Sequence, residues 1–568
     1  MGSFESSFLR NLKTLRLGLV SLILLAVLAC GGTAATPAAP TQASQTTTTQ
    51  AQVPTAEPTA VAPPEATAEP TAVASPEATT ISRPLVIVSN LEPDHLDWMD
   101  GNSGAGTEHY RNSFTEPLTQ RITGSSELRG LAAESWEAVR GDPSHWRFKI
   151  RQGITFHNGE KFDANAAANG INFIKLPERG MIYTEAVGGP HKPVVVDDYT
   201  LDIVCDDPCP LAPTGVRFAH FAAPNWYNNA SEEERRSQFI SSGPFKFISW
   251  ERGIALKSEP FEDYWQGKVE QFPEVNVVWR EEDTVRAAMV QTGEADWAYD
   301  VGPQNRNNVP KAVVGQSSEV VVLKINSKSR EPFQDARVRL ALRHAIDCET
   351  LNQQLYDGLG VCRGSPFNDQ LTGSRDDIQV PLEYNPQLAR QLLEEADYFN
   401  KWPNFEFTIT TRSGRFPRDV EMFEAIAGMW NEVGFKAGVS VVESSIWNEH
   451  SNQNDPSSPL FNVGADIITW PHGNETGDSW FSLRNLMCNH RSGYACDEVL
   501  EPQIIPAAGL SGQEREQKLY ELWKYVYDNG LLPPILELPI VYGVSERLGF
   551  IPRAEREVRW NEQMKWLE

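Results

Sequence analysis

The stretch LAAESWEAVRGDPSHWRFKIRQGITFHNGEKFDANAAANGINF, residues 131–173, decides the fold class because its hydrophobic period changes partway along. Residues 146–151 alternate apolar with basic side chains, which predicts a half-buried strand. Asn158-Gly159 is a strong hairpin-turn signal, and Asp163 stands where the N-cap of a following helix is expected. The stretch therefore predicts strand, turn and helix in close succession.

The same mixture continues on both sides of this stretch. We predict a helix that is capped by Asp283 and stopped by Gly293, and a long helix that is stopped by Gly530. Further strands are predicted at 83–90, 200–207, 275–280, 319–327 and 463–470, further helices at 335–347 and 386–398, and a strand–helix–strand unit at 405–444. The fold class is therefore mixed α/β and α+β, in more than one lobe.

The N-terminus has the pattern of an export signal. Three basic residues precede a run at 17–29 that is apolar apart from Ser21, and Cys30 follows. As a helix the run would rise about 20 Å at 1.5 Å per residue, which is short of a bilayer core of about 30 Å. We predict a signal peptide at 1–29 and lipidation of Cys30, since VLAC (27–30) resembles a bacterial lipobox.

Residues 30–80 are predicted to be a disordered tether behind the lipidated Cys30. They are dominated by Ala, Thr, Pro and Gln, and EPTAVAPPEATA (57–68) is nearly repeated at 69–80. Such a composition cannot bury enough apolar surface to offset its ordering entropy, and proline stiffens it. A tether behind a lipid would hold the folded part, 81–568, away from a membrane.

The charge balance argues against nucleic acid as a partner. The chain carries 50 Lys and Arg against 76 Asp and Glu, a formal net charge of −26. Nucleic-acid binding favours a basic surface, whereas acidity speaks mainly to solubility.

Six cysteines follow Cys30, and an even number in an exported chain predicts disulfides. Their close spacing suggests three local pairs, although other connectivities are open: Cys205 with Cys209, Cys348 with Cys362, and Cys488 with Cys496. Zinc is the rival interpretation, but CDDPC is not a C-x-x-C motif and no His stands at finger spacing, so we expect no metal.

The motifs of common enzymes are missing from the sequence. GNSGA (101–105) fails the G-x-S-x-G pattern, and H-E-x-x-H, a P-loop lysine and G-x-G-x-x-G do not occur. His472, Asp478 and Ser479 could be imagined as a hydrolase cluster, but a triad is recognised by geometry. We therefore predict a protein that is not an enzyme and has no cofactor.

Five stretches, in order, resemble the family 5 bacterial extracellular solute-binding proteins, the peptide, nickel and oligosaccharide receptors of ABC importers. They are FTEPLTQRI (114–122), the 131–173 stretch quoted above, SSGPFKFISWERGIALKSEPFEDYWQGK (241–268), TVRAAMVQTGEADWA (284–298) and INSKSREPFQDARVRLALRHAID (325–347).

The resemblance implies a bilobal clam of the periplasmic binding protein type (type II, like cluster C) with an extra inserted domain. Lobe I would comprise 81–120, 240–325 and 518–568, the insert 121–239, and lobe II 326–517. The chain would cross between the lobes near 325–330 and 515–520, and closure of this hinge over a solute would be the functional motion.

In peptide-binding members, an Asp that follows W-x-A grips the ligand's α-amine, because a buried ammonium needs such a partner. When Trp470 is aligned with the Trp of that motif, Gly473 stands in the position of the Asp. This departure leaves three ligand classes open. One is a neutral oligosaccharide stacked on Trp447, Trp470 and Trp480; another is a peptide held instead by Glu92, Glu475 or Asp478; the third is a metal chelate bound by His472.

Other pocket candidates follow from their position in the resemblance. Asn90, Leu91 and Glu92 follow the first strand, and Tyr110 and Asn112 lie on the next segment. Thr411 and Arg412 end a lobe II strand, and Arg412 could grip a carboxylate through two parallel hydrogen bonds.

The implied partners are a small solute, an ABC permease with its ATPase, and the membrane through the N-terminal lipid. We expect a monomer that is extracytoplasmic and anchored to the bacterial cell membrane. A solute sensor or scaffold with the same fold stays an alternative, and neighbouring permease and ATPase genes would discriminate between them.

Overall fold

A computed structural model of the chain describes residues 83–567, except 101–106, 123–124, 126, 177–180, 457, 462, 474–475 and 554–556. The predicted signal peptide, Cys30 and the tether lie outside the described residues, and so does Glu475. These parts of the sequence analysis therefore stay predictions.

The described strands are labelled in chain order. They are β1 Leu85–Ser89, β2 Thr119–Arg121, β3 Leu128–Gly130, β4 Ala133–Ala138, β5 His145–Ile150, β6 His191–Asp197, β7 Thr200–Cys205, β8 Phe245–Glu251, β9 Ala255–Pro260, β10 Val275–Trp279, β11 Trp297–Ala298, β12 Lys311–Ile325, β13 Val361–Cys362, β14 Phe407–Thr411, β15 Ala437–Val441, β16 Ile467–His472, β17 Pro534–Val544, β18 Leu548–Phe550 and β19 Met564–Trp566.

The described α-helices are labelled in the same way. They are α1 Glu108–Arg111, α2 Ala164–Ile174, α3 Met181–Val187, α4 Ala212–Gly215, α5 Pro224–Asn229, α6 Glu232–Ser237, α7 Asp283–Thr292, α8 Ala336–His344, α9 Cys348–Tyr356, α10 Asp376–Gln379, α11 Pro386–Glu395, α12 Tyr398–Lys401, α13 Asp419–Glu432, α14 Ser444–Ser451, α15 Trp480–Leu483, α16 Glu501–Ala508, α17 Gly512–Asn529 and α18 Trp560–Gln563.

A large mixed sheet runs through both lobes. Its strand order is β15-β14-β16-β12-β17-β11-β1-β10-β9-β8, and β13 also pairs with β17. Two long strands, β12 and β17, are shared between the halves. The first part of β12 pairs with the end of β17 near β11, whereas residues 320–325 of β12 pair with β16.

The pairing of β12 with β17 is interrupted between Gln316 and Val320. A bulge locally disrupts the ladder and bends the strand. We call residues 317–319 of β12 the hinge bulge. The first half of β12 was not predicted as strand, because Gly315 and the polar run 316–318 interrupt its apolar pattern. The predicted crossing between the lobes near 325–330 stays a prediction.

A smaller antiparallel sheet, β4-β5-β7-β6, lies within the region that was predicted to be the insert. Helix α2 packs against it and begins as predicted, because the Asp163 side chain accepts a hydrogen bond from the Ala166 backbone nitrogen. The exact limits of the lobes and the insert stay predictions.

Other local signals were confirmed with one correction. Gly293 and Gly530 end α7 and α17 at positive φ, a conformation that glycine adopts without steric cost. The prediction that Asp283 caps α7 was wrong, because Glu282 is the N-cap and Asp283 is the first helical residue. A first-turn carboxylate still favours the positive end of the helix dipole.

The three predicted disulfides are present: Cys205–Cys209, Cys348–Cys362 and Cys488–Cys496. Among the described residues, no helix combines the length and the apolarity that a membrane crossing requires.

Candidate ligand-binding cleft

The carboxyl ends of four strands in the large sheet converge on the hinge bulge. On one side, β1 and β11 are parallel. The chain continues from β11 to Val301, whose backbone nitrogen donates a hydrogen bond to the Val541 oxygen of β17. On the other side β14 and β16 are parallel, and His472 at the end of β16 lies opposite Val320. Ligands of such sheets bind beyond the carboxyl ends of the strands. The candidate cleft therefore lies between these two edges.

The loop after β14 is fixed to the hinge bulge by an ion pair. Arg415 donates to the carboxylate of Glu319, which is almost fully buried. The Arg415 backbone nitrogen also bonds Asp419 at 2.8 Å, which ties the loop to the start of α13. This loop therefore holds Arg412 next to the hinge.

Arg412, Trp447, Trp470 and Lys324 form a stack along the lobe II edge. The Arg412 guanidinium carbon lies 4.3 Å from the centre of the Trp447 ring, and the Trp447 and Trp470 rings are 5.0 Å apart. The Lys324 ammonium nitrogen lies 3.6 Å from the centre of the Trp470 ring. Cations over indole faces are stabilised by the ring quadrupole. We call these four residues the cation–indole stack.

Arg412 differs from the other cations of this edge. Within the described residues, its guanidinium forms no hydrogen bond and no ion pair, and its contact is with the Trp447 ring. Burial, together with the neighbouring charge of Arg415, lowers the pKa of Arg412 to about 10, so that it is charged at neutral pH. The carboxylates of Asp419 and Glu319 act on this charge without forming an ion pair with it. A half-buried guanidinium that forms no ion pair with a described residue is suited to an incoming anion.

The other members of the stack are held inside lobe II. Lys324 donates to Asn485 at 3.0 Å and to Ser492 at 2.9 Å. Thr411 is buried and accepts a hydrogen bond of 3.0 Å from the Thr469 hydroxyl. Trp447 is 4% exposed, and its indole nitrogen has no partner among the described residues. Arg412 lies over the Trp447 ring and Lys324 lies over the Trp470 ring. The stack therefore covers part of the indole surface that was predicted to receive a sugar.

His472 is buried and directed into lobe II, where its Nε2 contacts the hydroxyl of Ser482. Burial and the charges of Lys324 and Arg484 lower its pKa to about 3, so the imidazole is neutral. Because the Nε2 atom of His472 already contacts Ser482, the structure does not favour the interpretation of His472 as a ligand for a metal chelate. In the described part of the chain, no group of three or more potential ligands is arranged to hold a metal ion.

Two further residues of the 469–480 segment are structural. Asp478 forms a buried two-point ion pair with Arg515, with both nitrogen–oxygen distances 2.8 Å, so it is not poised to grip an amine. Trp480 is 4% exposed in the lobe II core and donates its indole N–H to the Ile504 oxygen at 2.7 Å. The interpretation of Trp480 as a stacking platform is corrected accordingly.

Gly473 directly follows β16, as expected for a residue at the cleft edge. Because residues 474–475 are outside the described part, its proposed place opposite the ligand amine stays a prediction. The strand that was predicted at 463–470 ends later than expected, because β16 continues through Pro471 to His472.

On the lobe I edge, Asn90 and Leu91 directly follow β1. Leu91 is exposed, and the Asn90 Oδ1 atom is buried without a partner among the described residues. Glu92 is already engaged, because it accepts hydrogen bonds from the Trp250 indole at 2.9 Å and from the Gly253 backbone nitrogen. It closes the β8–β9 turn and is not free to hold an amine.

Tyr110 and Asn112 belong to the interior of lobe I. Tyr110 is fully buried, with its ring edge-to-face against His109, and Asn112 is the C-cap of α1. A ligand cannot reach a fully buried ring, so the position of Tyr110 in the resemblance misled the prediction.

Sequence reasoning missed Lys324, Glu319 and Arg415. A signal was available, since EVVVLKI (319–325) places two charged residues in an otherwise apolar strand. Buried charges need partners, and such a pattern marks a strand that supplies polar groups to a site.

A bilobal α/β fold with strand ends that meet at a shared hinge defines the class of extracytoplasmic solute-binding proteins. Residues 127–481 match the model described as "Bacterial extracellular solute-binding proteins, family 5 Middle". The chain belongs to this family.

Three similar proteins illustrate the match. Heme-binding protein A of Haemophilus influenzae is 23% identical over 78% of this chain and 84% of its own length. The oligopeptide-binding protein AppA of Bacillus subtilis is 28% identical over 68% of this chain and 74% of its own. The structure of the periplasmic binding protein DppA from Helicobacter pylori, in complex with the peptide STSA, superposes with a TM-score of 0.71 at 19% identity, covering 86% and 98% of the two chains.

Proposed function

We propose that this chain is the lipid-anchored receptor of an ABC importer and captures a carboxylate-bearing solute, an oligopeptide, between its lobes. It would be exported by residues 1–29, anchored through Cys30, held off the membrane by the tether, and active as a monomer. Closure would present the solute to a permease driven by its ATPase. The role is binding and delivery without a chemical step.

The observation that carries the ligand class is Arg412. It stands beyond the carboxyl end of β14, beside the hinge bulge, as a charged group that forms no ion pair with a described residue. A guanidinium binds a carboxylate through two parallel hydrogen bonds. A linear peptide has a C-terminal carboxylate that is ionised at neutral pH, so a peptide can supply the ion-pair partner for Arg412.

Similar proteins named for dipeptides and oligopeptides agree with this class. The oligosaccharide alternative is weakened because Trp480 is a core residue and because Arg412 and Lys324 cover faces of Trp447 and Trp470. A sugar would have to displace a cation from the ring that was predicted to receive it.

The test is calorimetry of the purified chain with di- to pentapeptides and, separately, with cello- and xylo-oligosaccharides. The proposal predicts saturable peptide binding that weakens when the peptide is C-terminally amidated. Oligosaccharide binding without peptide binding would overturn it.

Anchoring is tested separately. In bacterial cells, Cys30→Ala should release the protein from the membrane fraction, and Cys30→Ala protein that stays in that fraction would refute the lipid anchor.

A further inference from the structure

A disulfide-bridged turn of the small sheet reaches across to lobe II. Residues 205–211 follow β7, and the Cys205–Cys209 disulfide closes the turn. The backbone nitrogens of Cys205 and Cys209 donate to the oxygens of Ser144 at 2.9 Å and Pro143 at 3.0 Å. The Trp146 indole donates to the Cys209 oxygen at 3.0 Å. The turn is therefore held firmly on the small sheet.

The outer side of this turn packs against the end of α16. A Cβ added to Gly509 would lie 3.3 Å from the Cβ of Pro208 and 3.4 Å from its Cγ. Two residues after Cys209, Leu211 belongs to the same buried apolar cluster as Ile504 and Ala507 of α16. The two contacts join residues that are about 300 positions apart in sequence.

The two segments that form these contacts are separated in sequence by the hinge bulge. Residues 205–211 precede 317–319, whereas 504–509 follow it and precede β17, the second shared strand. A rotation of the lobes about β12 and β17 would therefore pull Pro208 and Leu211 away from α16. We propose that residues 205–211 act as a clasp between the small sheet and lobe II that favours the closed arrangement of the lobes.

A second contact lies along the same interface. The Arg121 side chain, at the end of β2, lies against Gly477, so that a Cβ there would be 3.2 Å from the guanidinium carbon. Arg121 is held in place by donating to the Ser125 oxygen from Nε at 3.2 Å and from Nη2 at 3.0 Å. Residues that precede the hinge bulge in sequence therefore contact two separate segments of lobe II.

The experiment uses hydrogen–deuterium exchange of the full chain without ligand. Gly509→Leu inserts a side chain between α16 and Pro208, at a residue whose φ is −79° and therefore ordinary for leucine. Gly428→Leu is the matched control, because its added Cβ meets nothing within 4 Å on the exposed face of α13. Leu211→Ser removes the apolar contact from the other side. Thermal unfolding verifies that each variant is folded.

The clasp predicts that Gly509→Leu and Leu211→Ser speed exchange at the cleft segments 411–415 and 470–473 by about threefold or more, because lobe opening exposes them. Gly428→Leu should match the wild type there. Exchange that rises near 205–215 and 501–512 alone, or not at all, would overturn the clasp. Because no ligand is used, this result is separate from the peptide-binding test of the proposed function.

Discussion

On the lobe I side of the hinge, two candidates of the cleft edge belong to the structure of their own lobe: Glu92 closes the β8–β9 turn and Tyr110 is fully buried. On the lobe II side, Arg412 caps an indole stack and forms no ion pair with a described residue. Both edges carry charged residues in similar positions after a strand. The two edges differ because Glu92 already accepts hydrogen bonds within lobe I, whereas the contact of the Arg412 guanidinium within the described residues is with the Trp447 ring.

This difference shows how to separate structural charges from binding charges in a two-lobed receptor. A buried charge with a well-formed partner contributes to the folded state, and removing one partner strands the other. A charge that forms no ion pair within the described residues is available to a solute. Asp478 and Arg412 therefore differ in whether each already has an ion-pair partner.

The largest expected effect comes from breaking the buried ion pair of lobe II. Asp478→Ala leaves the Arg515 guanidinium buried without its carboxylate, which should lower the free energy of unfolding by about 3–5 kcal/mol. Chemical denaturation measures this loss. Glu421→Ala is the control, because its pair with Arg418 is 42% and 50% exposed and should contribute about 1 kcal/mol or less. A loss no larger than that of the control would return Asp478 to the list of ligand-binding residues.

Arg412→Ala should weaken peptide binding by roughly 10- to 100-fold, since a hydrogen bond to a charged group contributes about 1.5–3 kcal/mol. Calorimetry with the tightest-binding peptide of the di- to pentapeptide series measures the loss. Arg390→Ala is the control, because Arg390 is an exposed cation beside Phe399 in lobe II. If both variants bound peptide as tightly as the wild type, Arg412 would not be the carboxylate anchor.

His472 gives the stability of lobe II a dependence on pH. Its pKa is about 3 in the folded chain against an ordinary value of 6.5, so the unfolded chain binds the extra proton between these values. Stability is therefore complete above pH 6.5 and falls as the pH drops toward 3, by about 1.4 kcal/mol per pH unit for this one group. His472→Gln should reduce that slope by about one proton between pH 4 and 6 in denaturation experiments. An unchanged slope would show that His472 titrates normally.

The smallest effect is expected on the lobe I side. Glu92→Gln keeps an acceptor for the Trp250 indole and the Gly253 backbone nitrogen, so peptide affinity should stay within about twofold of the wild type. The same calorimetric titration measures it. A loss as large as that of Arg412→Ala would mean that Glu92 contacts the ligand and that the two edges are alike.

Much of the fold was predictable because its signals are local. The Asp163 cap, the glycines that end α7 and α17 and the three short-range disulfides depend on residues close in sequence. The family resemblance then supplied the bilobal arrangement. By contrast, the first half of β12 was missed, because its pairing with β17 is set by residues more than 200 positions away.

The candidate site was predictable in position but less so in role. Arg412, Trp447 and Trp470 were identified from where their segments lie, and the structure brings them into one stack. Whether a charge has a partner is a long-range property: Asp478 meets Arg515 across 37 residues, and Glu92 meets Gly253 across 161. Spacing within one segment carries no information about such pairs.

Mass spectrometry of the solute that co-purifies with the full chain from its native host tests the central claim most directly. The account predicts a peptide with a free C-terminal carboxylate, which is lost from preparations of Arg412→Ala and retained in Arg390→Ala. A neutral oligosaccharide bound equally by the wild type and Arg412→Ala would contradict it.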